Sequence, residues 1–134
     1  MPLQFLPGDE TWYPSDSPSS TFSAVFEDDG DTGYFYAFDR AGKGGEGEIL
    51  DACHIYNVRA ITDREIPSVL EIMWSADGLK SALFINDFAH ALIDFGARRA
   101  YCRTNWPPPG GAWNAPERLP WSDELLAPFA SEGG

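Results

Sequence analysis

From Thr21 to Asn105 the sequence is interrupted every few residues: short runs of β-branched and aromatic side chains alternate with clusters of Gly, Asp, Asn and Pro. This punctuation constrains the fold more than any other feature, because short runs closed by turn formers are the pattern of an antiparallel meander. Phe22, Ala24 and Phe26 fall on one face of a first strand, EDDGDTG turns the chain, and residues 34–38 return it as a hairpin. The segment RAGKGGEGE at 40–48 holds four glycines and predicts an exposed, flexible loop. A strand follows over residues 49–61. Leu50, Ala52, Cys53, Ile55, Tyr56 and Val58 do not alternate cleanly there, so that strand is expected to be central or covered on both sides.

After the turn TDREIP, residues 69–75 place Leu70, Ile72 and Trp74 on one face, with Glu71 and Met73 on the other. Ala76-Asp77-Gly78 closes a tight turn into a strand over 79–85. Asn86-Asp87 is a hairpin turn before residues 88–95, where Ala89, Ala91, Ile93 and Phe95 share one face, and His90 and Asp94 the other. Ala and Leu make a helix over 89–99 the competing reading, but the tight preceding turn and Gly96 favour a strand. A last strand is expected over 97–105. The prolines of WPPPGGAW then block any ladder and impose an extended exit.

The two ends read differently. Pro2, Pro7, Pro14, Pro18 and PSDSPSS make residues 1–20 an irregular arm, pinned by Phe5, Trp12 and Tyr13. Residues 106–134 mirror it, with Trp106, Trp113 and Trp121 among prolines. They hold one short helical candidate, in which Ser122 caps a turn, Asp123 and Glu124 sit at its positive end, and Pro128 ends it. At 134 residues, with 43% apolar and 22% charged side chains, the chain has material for one core. The expected fold is mainly β, with α+β as the variant. A single domain over 1–134 is expected, with arms at 1–20 and 106–134 around a core at 21–105 of about six or seven antiparallel strands.

The start lacks a basic region and an apolar stretch of about 7–15 residues, which argues against a secretory signal. No apolar run approaches the ~20 residues of a membrane-spanning helix. Cys53 and Cys102 each sit within an apolar run and there is no dense cysteine framework, so two buried free thiols in a reducing cytoplasm are expected.

Charge gives the strongest functional constraint. The formal net charge is −12, which works against binding nucleic acid or an anionic membrane. Residues 1–57 hold eleven acidic and two basic side chains, and no basic residue precedes Arg40. Such asymmetry focuses negative potential on one region and suits a cationic partner.

The segments FEDDGDTGYFYAFD at 26–39, ILDACHIYNV at 49–58, IMWSADGLKSALFINDFAHALIDF at 72–95 and YCRTNWPPP at 101–109 together resemble DUF2251, a family of small uncharacterised bacterial proteins. The resemblance covers roughly residues 21–109 and implies one compact domain. The family has no assigned reaction, so no catalytic residue is carried over.

The remaining constellations favour binding over catalysis. In the acidic turn, Gly30 comes too early for a calcium loop of the D-x-[DN]-x-[DN]-G-x5-E type, and no acidic residue falls where the closing Glu belongs. His54 and His90 are the only histidines, which excludes a three-histidine zinc site. Cys53 and His54 point to opposite faces of one strand, while His90 and Asp94 stand about 13 Å apart in a strand. No nucleophile motif is present, and GKGGEG lacks phosphate-loop spacing. The expectation is therefore a non-catalytic, cofactor-free, cytoplasmic binder of a cationic protein, in particular an immunity protein against a basic antibacterial toxin. It would act through Glu27, Asp28, Asp29, Asp31, Asp39, Glu46 and Glu48 around one or two aromatic anchors. Two alternatives stay open. One is a ligand module or small enzyme in which Asp51, His54, Asn57, Arg103 and Asn105 converge in a pocket. The other is a homo-oligomer joined through a strand edge.

Overall fold

The structure is a computed structural model that describes residues 2–113 and 115–130. It contains nine strands: β1 (Leu3–Phe5), β2 (Thr11–Asp16), β3 (Phe22–Asp28), β4 (Thr32–Asp39), β5 (Glu48–Asn57), β6 (Ser68–Trp74), β7 (Lys80–Ile85), β8 (Phe88–Asp94) and β9 (Arg99–Cys102). They form two antiparallel sheets, ordered β2-β3-β4-β5 and β1-β6-β7-β8-β9. Seven strands lie between residues 21 and 105, as the turn pattern predicts. The other two correct the expectation of an irregular N-terminal arm, since β1 pairs with β6 and β2 with β3. Pro14 is tolerated in β2 because that strand lies at a sheet edge.

Period-2 alternation places the core. Phe26, Phe35, Ala37 and Cys53 from one sheet meet Leu70, Leu83, Ala91 and Ile93 from the other in a single apolar cluster. Burying a phenylalanine such as Phe26 or Phe35 contributes roughly 1.5–3 kcal/mol. At one end Phe95 stacks on both Phe22 and Trp74, and Trp113 meets it edge-on, so both sheets and the tail share one aromatic knot. Trp74 Nε1 also donates to Ser15 Oγ at 2.9 Å.

The hairpin turns follow from their residues. Asn86 and Asp87 both take left-handed backbone angles, φ 52° and 66°, the geometry a two-residue hairpin turn requires. The competing helix over 89–99 is therefore excluded: residues 88–94 form β8.

Three boundaries differ from expectation. The strand expected over 49–61 ends at Asn57, and a 3-10 turn, Val58–Ala60, carries the chain toward the second sheet. β5 lies at a sheet edge, not in the centre, and register shifts against β4 explain its broken alternation. The last strand shrinks from 97–105 to Arg99–Cys102, since Ala97, Arg98 and Asn105 form turns around it, Arg98 and Asn105 with positive φ.

The tail covers what the sheets leave open. Residues 104–113 and 115–118 form a strap along the free edge of β5, where His54 N donates to Trp106 O, Ala112 N to Ile49 O and Trp113 N to Leu50 O. Beyond it, a 3-10 turn, Asp123–Leu126, runs into a short helix, Ala127–Ala130. Ser122 Oγ accepts from Glu124 N, as expected of a cap. Pro128 lies inside the helix and does not end it, because proline fits the first helical turn, where amide donors are unpaired anyway. Trp121, Leu125, Leu126 and Phe129 pack on Ala82, Leu92, Phe84 and Tyr101, the outer face of the five-stranded sheet. No helix among the described residues is long and apolar enough to cross a membrane.

Candidate protein-binding face

The two outer sheet faces are not equivalent. The tail covers that of the five-stranded sheet, whereas the face of β2–β5 presents an exposed Trp12, with the 42–47 segment packed at its edge against Phe38. Cross-strand pairing aligns the side chains there: Trp12 opposite Glu27, Glu27 opposite Tyr34, Tyr34 opposite His54, and, one pair along, Pro14, Val25, Tyr36 and Ala52. Alternation makes this face aromatic by the same rule that buries Phe26 and Phe35 on the other side. Trp12 is 61% exposed, and its ring lies 6.3 Å from Tyr36, which stacks on Tyr34 at 6.0 Å. Tyr34 meets His54 edge-on at 5.6 Å. Beside this row an apolar groove of about 190 Å³ runs over Val25 between Trp12, Pro14 and Phe38, with Asp16 and Arg40 at its end.

Carboxylates border the row. A cleft of about 350 Å³ at the Trp12 end is lined by Glu10, Trp12, Glu27 and Asp29. Glu27 accepts a hydrogen bond from the Tyr36 hydroxyl at 2.8 Å. Burial, followed by that contact with Glu27, raises the Tyr36 pKa well above the usual tyrosine value. At the far end a third cleft lies between Phe38, Glu46, Glu48 and Ile49, with Lys43 among its lining residues.

The seven expected partner-binding carboxylates divide by environment. Asp28 is not available to a partner: only 1% exposed, it accepts from Gly8 N and Gly30 N, both at 2.8 Å, and from the Tyr56 hydroxyl at 2.5 Å. It faces inward because alternation turns it to the opposite side from Glu27, and it ties the 6–9 loop to the β3–β4 turn. Asp29 is exposed but shapes its own turn, accepting from the backbone of Thr32 and Asp31, and these bonds hold its carboxyl below the usual range. Asp39 likewise accepts from Thr21 Oγ1 and Ala41 N. Asp31 and Glu46 point into solvent, Glu48 is half-buried, and Glu27 stands on the aromatic face itself.

The alternative pocket does not assemble. Asp51 is buried against Arg118, His54 Nε2 lies 3.0 Å from Asn57 Oδ1, and Arg103 stacks over Phe88 and Trp121 on the other sheet. Asn105 is exposed in a turn. Among the described residues no three His, Cys, Asp or Glu side chains gather as a metal-ligand set.

Sequence reasoning missed Trp12 as a surface residue. It was expected to pin the arm, but Phe5 and Tyr13 do so, and Trp12 faces out between them. The signal lay in TWYP, where neighbours on a strand take opposite faces.

Two packed antiparallel sheets, one outer face covered by the tail and the other presenting Trp12, define the class as a two-sheet, all-antiparallel β protein. A family model described as an uncharacterized protein conserved in bacteria, DUF2251, matches residues 5–130, and the chain belongs to that family. The match runs through both arms, beyond the 21–109 stretch that carried the resemblance. A protein of Haemophilus influenzae named only "Uncharacterized protein" is 39% identical over 88 residues, which is 66% of this chain and 53% of that relative. The chain thus spans about half the length of the curated relative it matches. No solved structure matches it.

Proposed function

We propose that this protein is a non-catalytic binder that engages a cationic segment of a protein partner on the outer face of β2–β5, and that it serves as a cytoplasmic immunity protein against a basic antibacterial toxin. The observation that carries this reading is the contrast between the two sheets: the tail shields one outer face, and the other presents an exposed Trp12 in an aromatic row. Glu10, Glu27 and Asp29 gather at Trp12, and the described structure places no Lys or Arg in that cleft. Aromatic anchors within a charged rim suit a partner rich in Arg or Lys, whose guanidinium and ammonium groups sit over indole and pair with carboxylates. The acidic surface speeds encounter, and the groove over Val25 and Phe38 supplies apolar contact.

The test is capture of partners from the native bacterium by wild-type protein and by Trp12→Ala and Glu27→Gln variants, at low and moderate salt. The expected result is one stoichiometric basic protein held by the wild type and lost by the variants, whose toxicity on expression is relieved by co-expressing wild type alone. A partner held equally by all three proteins would place the interface elsewhere. A retained protein whose toxicity the wild type does not relieve would remove the immunity role.

A further inference from the structure

We infer that the partner segment docking on the outer face of β2–β5 is a proline-rich stretch in polyproline II conformation, flanked by an arginine or lysine and lying in the groove along β3. It rests on the reading of that face as the partner-binding surface, and it names the kind of chain that fits there. The groove follows from side-chain size. Ser23 and Val25 are outward residues of β3, and each stands between larger neighbours: Val25 pairs with Pro14 and Tyr36, Ser23 with Asp16 and Phe38. A small row between two tall ones leaves a furrow along the strand, walled by Trp12 and Pro14 from β2 and by Phe38 from β4. From Trp12 to Asp16 it covers about 13 Å of strand, the length of about four residues of polyproline II at ~3.1 Å each. The Arg40–Asp16 ion pair, 3.6 Å apart, stands at one end.

Backbone polarity selects the occupant. A chain lying on a sheet face cannot join the ladder, so an ordinary extended segment would press unpaired amide N–H groups against Val25, Pro14 and Phe38. Proline has no N–H and brings an apolar ring. Neither strand edge beside the face offers a better route, since the strap occupies that of β5 and Pro14 interrupts the donors of β2. A polyproline II chain leaves its carbonyls without internal partners, so it needs donors from the surface it meets. The Trp12 indole supplies one. Trp74 and Trp121 donate their Nε1–H to Ser15 and Asp123, whereas that of Trp12 has no acceptor among the described residues. A preformed, stiff segment also loses little conformational freedom on docking.

Charge sets the direction. Glu10, Glu27 and Asp29 gather at the Trp12 end, while Arg40 stands at the other. The cation flanking the prolines therefore belongs at the Trp12 end, over the indole and beside those carboxylates.

The experiment titrates the nitrogen-15-labelled chain with capped peptides and follows the Trp12 indole N–H resonance, identified by its loss in Trp12→Ala. The peptides are Arg-Pro-Pro-Pro-Pro-Arg, Arg-Ala-Ala-Ala-Ala-Arg of equal charge, and uncharged Gly-Pro-Pro-Pro-Pro-Gly. The expected result is a saturable shift with the first, an affinity about tenfold lower or worse for the alanine peptide, and a similar loss for the first peptide on Trp12→Ala. The uncharged peptide should shift the same resonances more weakly. Equal affinities for the proline and alanine peptides would overturn the inference while leaving a face that binds cations. No shift with either proline peptide at millimolar concentration would overturn it too; the face itself is judged separately, by whether a captured partner is lost from Trp12→Ala. A dimer in sedimentation that the first peptide does not dissociate would replace the proline segment by a second copy. Because the wild type is compared across peptides, the outcome does not depend on how Trp12→Ala folds.

Discussion

Arg118 and Asp51, 67 positions apart, form a two-pronged ion pair in the interior, Nη2 to Oδ1 at 2.9 Å and Nη1 to Oδ2 at 3.1 Å, with side chains 2% and 3% exposed. The arginine comes from the strap and the aspartate from β5. The pair locks the tail onto the sheet edge, and the three carbonyls around the guanidinium satisfy its remaining donors.

Breaking that pair from one side should be severe. Arg118→Met strands a buried carboxylate, which costs about 3–5 kcal/mol. Urea unfolding should show the loss as a lower midpoint. The double variant Arg118→Met, Asp51→Leu should recover much of it, because neither charge is then left alone. A single variant within about 0.5 kcal/mol of wild type would mean that the strap is held by its backbone bonds.

Neighbouring carboxylates of the acidic turn should behave unlike one another. Asp28→Asn turns an amide toward three donors and should cost about 2–3 kcal/mol; Tyr56→Phe, which removes one of those donors, about 1.5–3 kcal/mol. Asp31→Asn, in solvent, should stay within about 0.5 kcal/mol. Equal stabilities for Asp28→Asn and Asp31→Asn would contradict the buried position of Asp28.

Strap placement can be probed with adjacent glycines. A methyl group on Gly111 would meet the Leu50 carbonyl oxygen at 2.3 Å and Asp51 N at 2.8 Å, both rigid backbone, whereas one on Gly110 has nothing nearer than the Pro108 carbonyl at 3.8 Å. Gly111→Ala should therefore lift the strap and cost about 1–3 kcal/mol. Hydrogen exchange should quicken at His54, Ala112 and Trp113, whose amides make the strap bonds, while Gly110→Ala leaves them protected.

His90 should make stability depend on mildly acidic pH. Burial, then the positive charge of Arg103, lowers its pKa below the usual histidine value of about 6.5. The unfolded chain thus binds this proton more readily than the folded one, so stability rises with pH across the window between the two values. His90 contributes fully above about 6.5, and the contribution fades as pH falls through the folded value. Melting midpoints from about pH 5 to about pH 8 should fall on the acid side, and His90→Gln should flatten part of that slope. Identical profiles would assign the acid sensitivity to other groups.

The legible part of the fold was local. Asp77-Gly78 and Asn86-Asp87 mark their own turns, and Leu70, Ile72 and Trp74 declare an inward face by alternation alone. β1 and β2 were hidden because their prolines read as irregular and their partners, as in the pairing of Leu3 with Leu70, lie far along the chain. Charge composition located the acidic end, but it could not separate Asp28 from Glu27, since one step along a strand exchanges core for solvent. Arg118 carried no periodic signal at all; a lone arginine in a proline-rich tail looks like surface until the fold places it beside Asp51.

The order of the strands also sets a schedule for synthesis. β2 to β5 pair only with neighbours in sequence, so that sheet can be laid down early as the chain leaves the ribosome. Its apolar inner side, with Phe26 and Phe35, then has no cover until β6 to β9 have been made, and the edge of β5 stays open until residues 104–113 arrive. A nascent chain stalled between Asn57 and Cys102 would therefore expose both an oily surface and an unpaired strand, the combination that recruits chaperones or seeds aggregation.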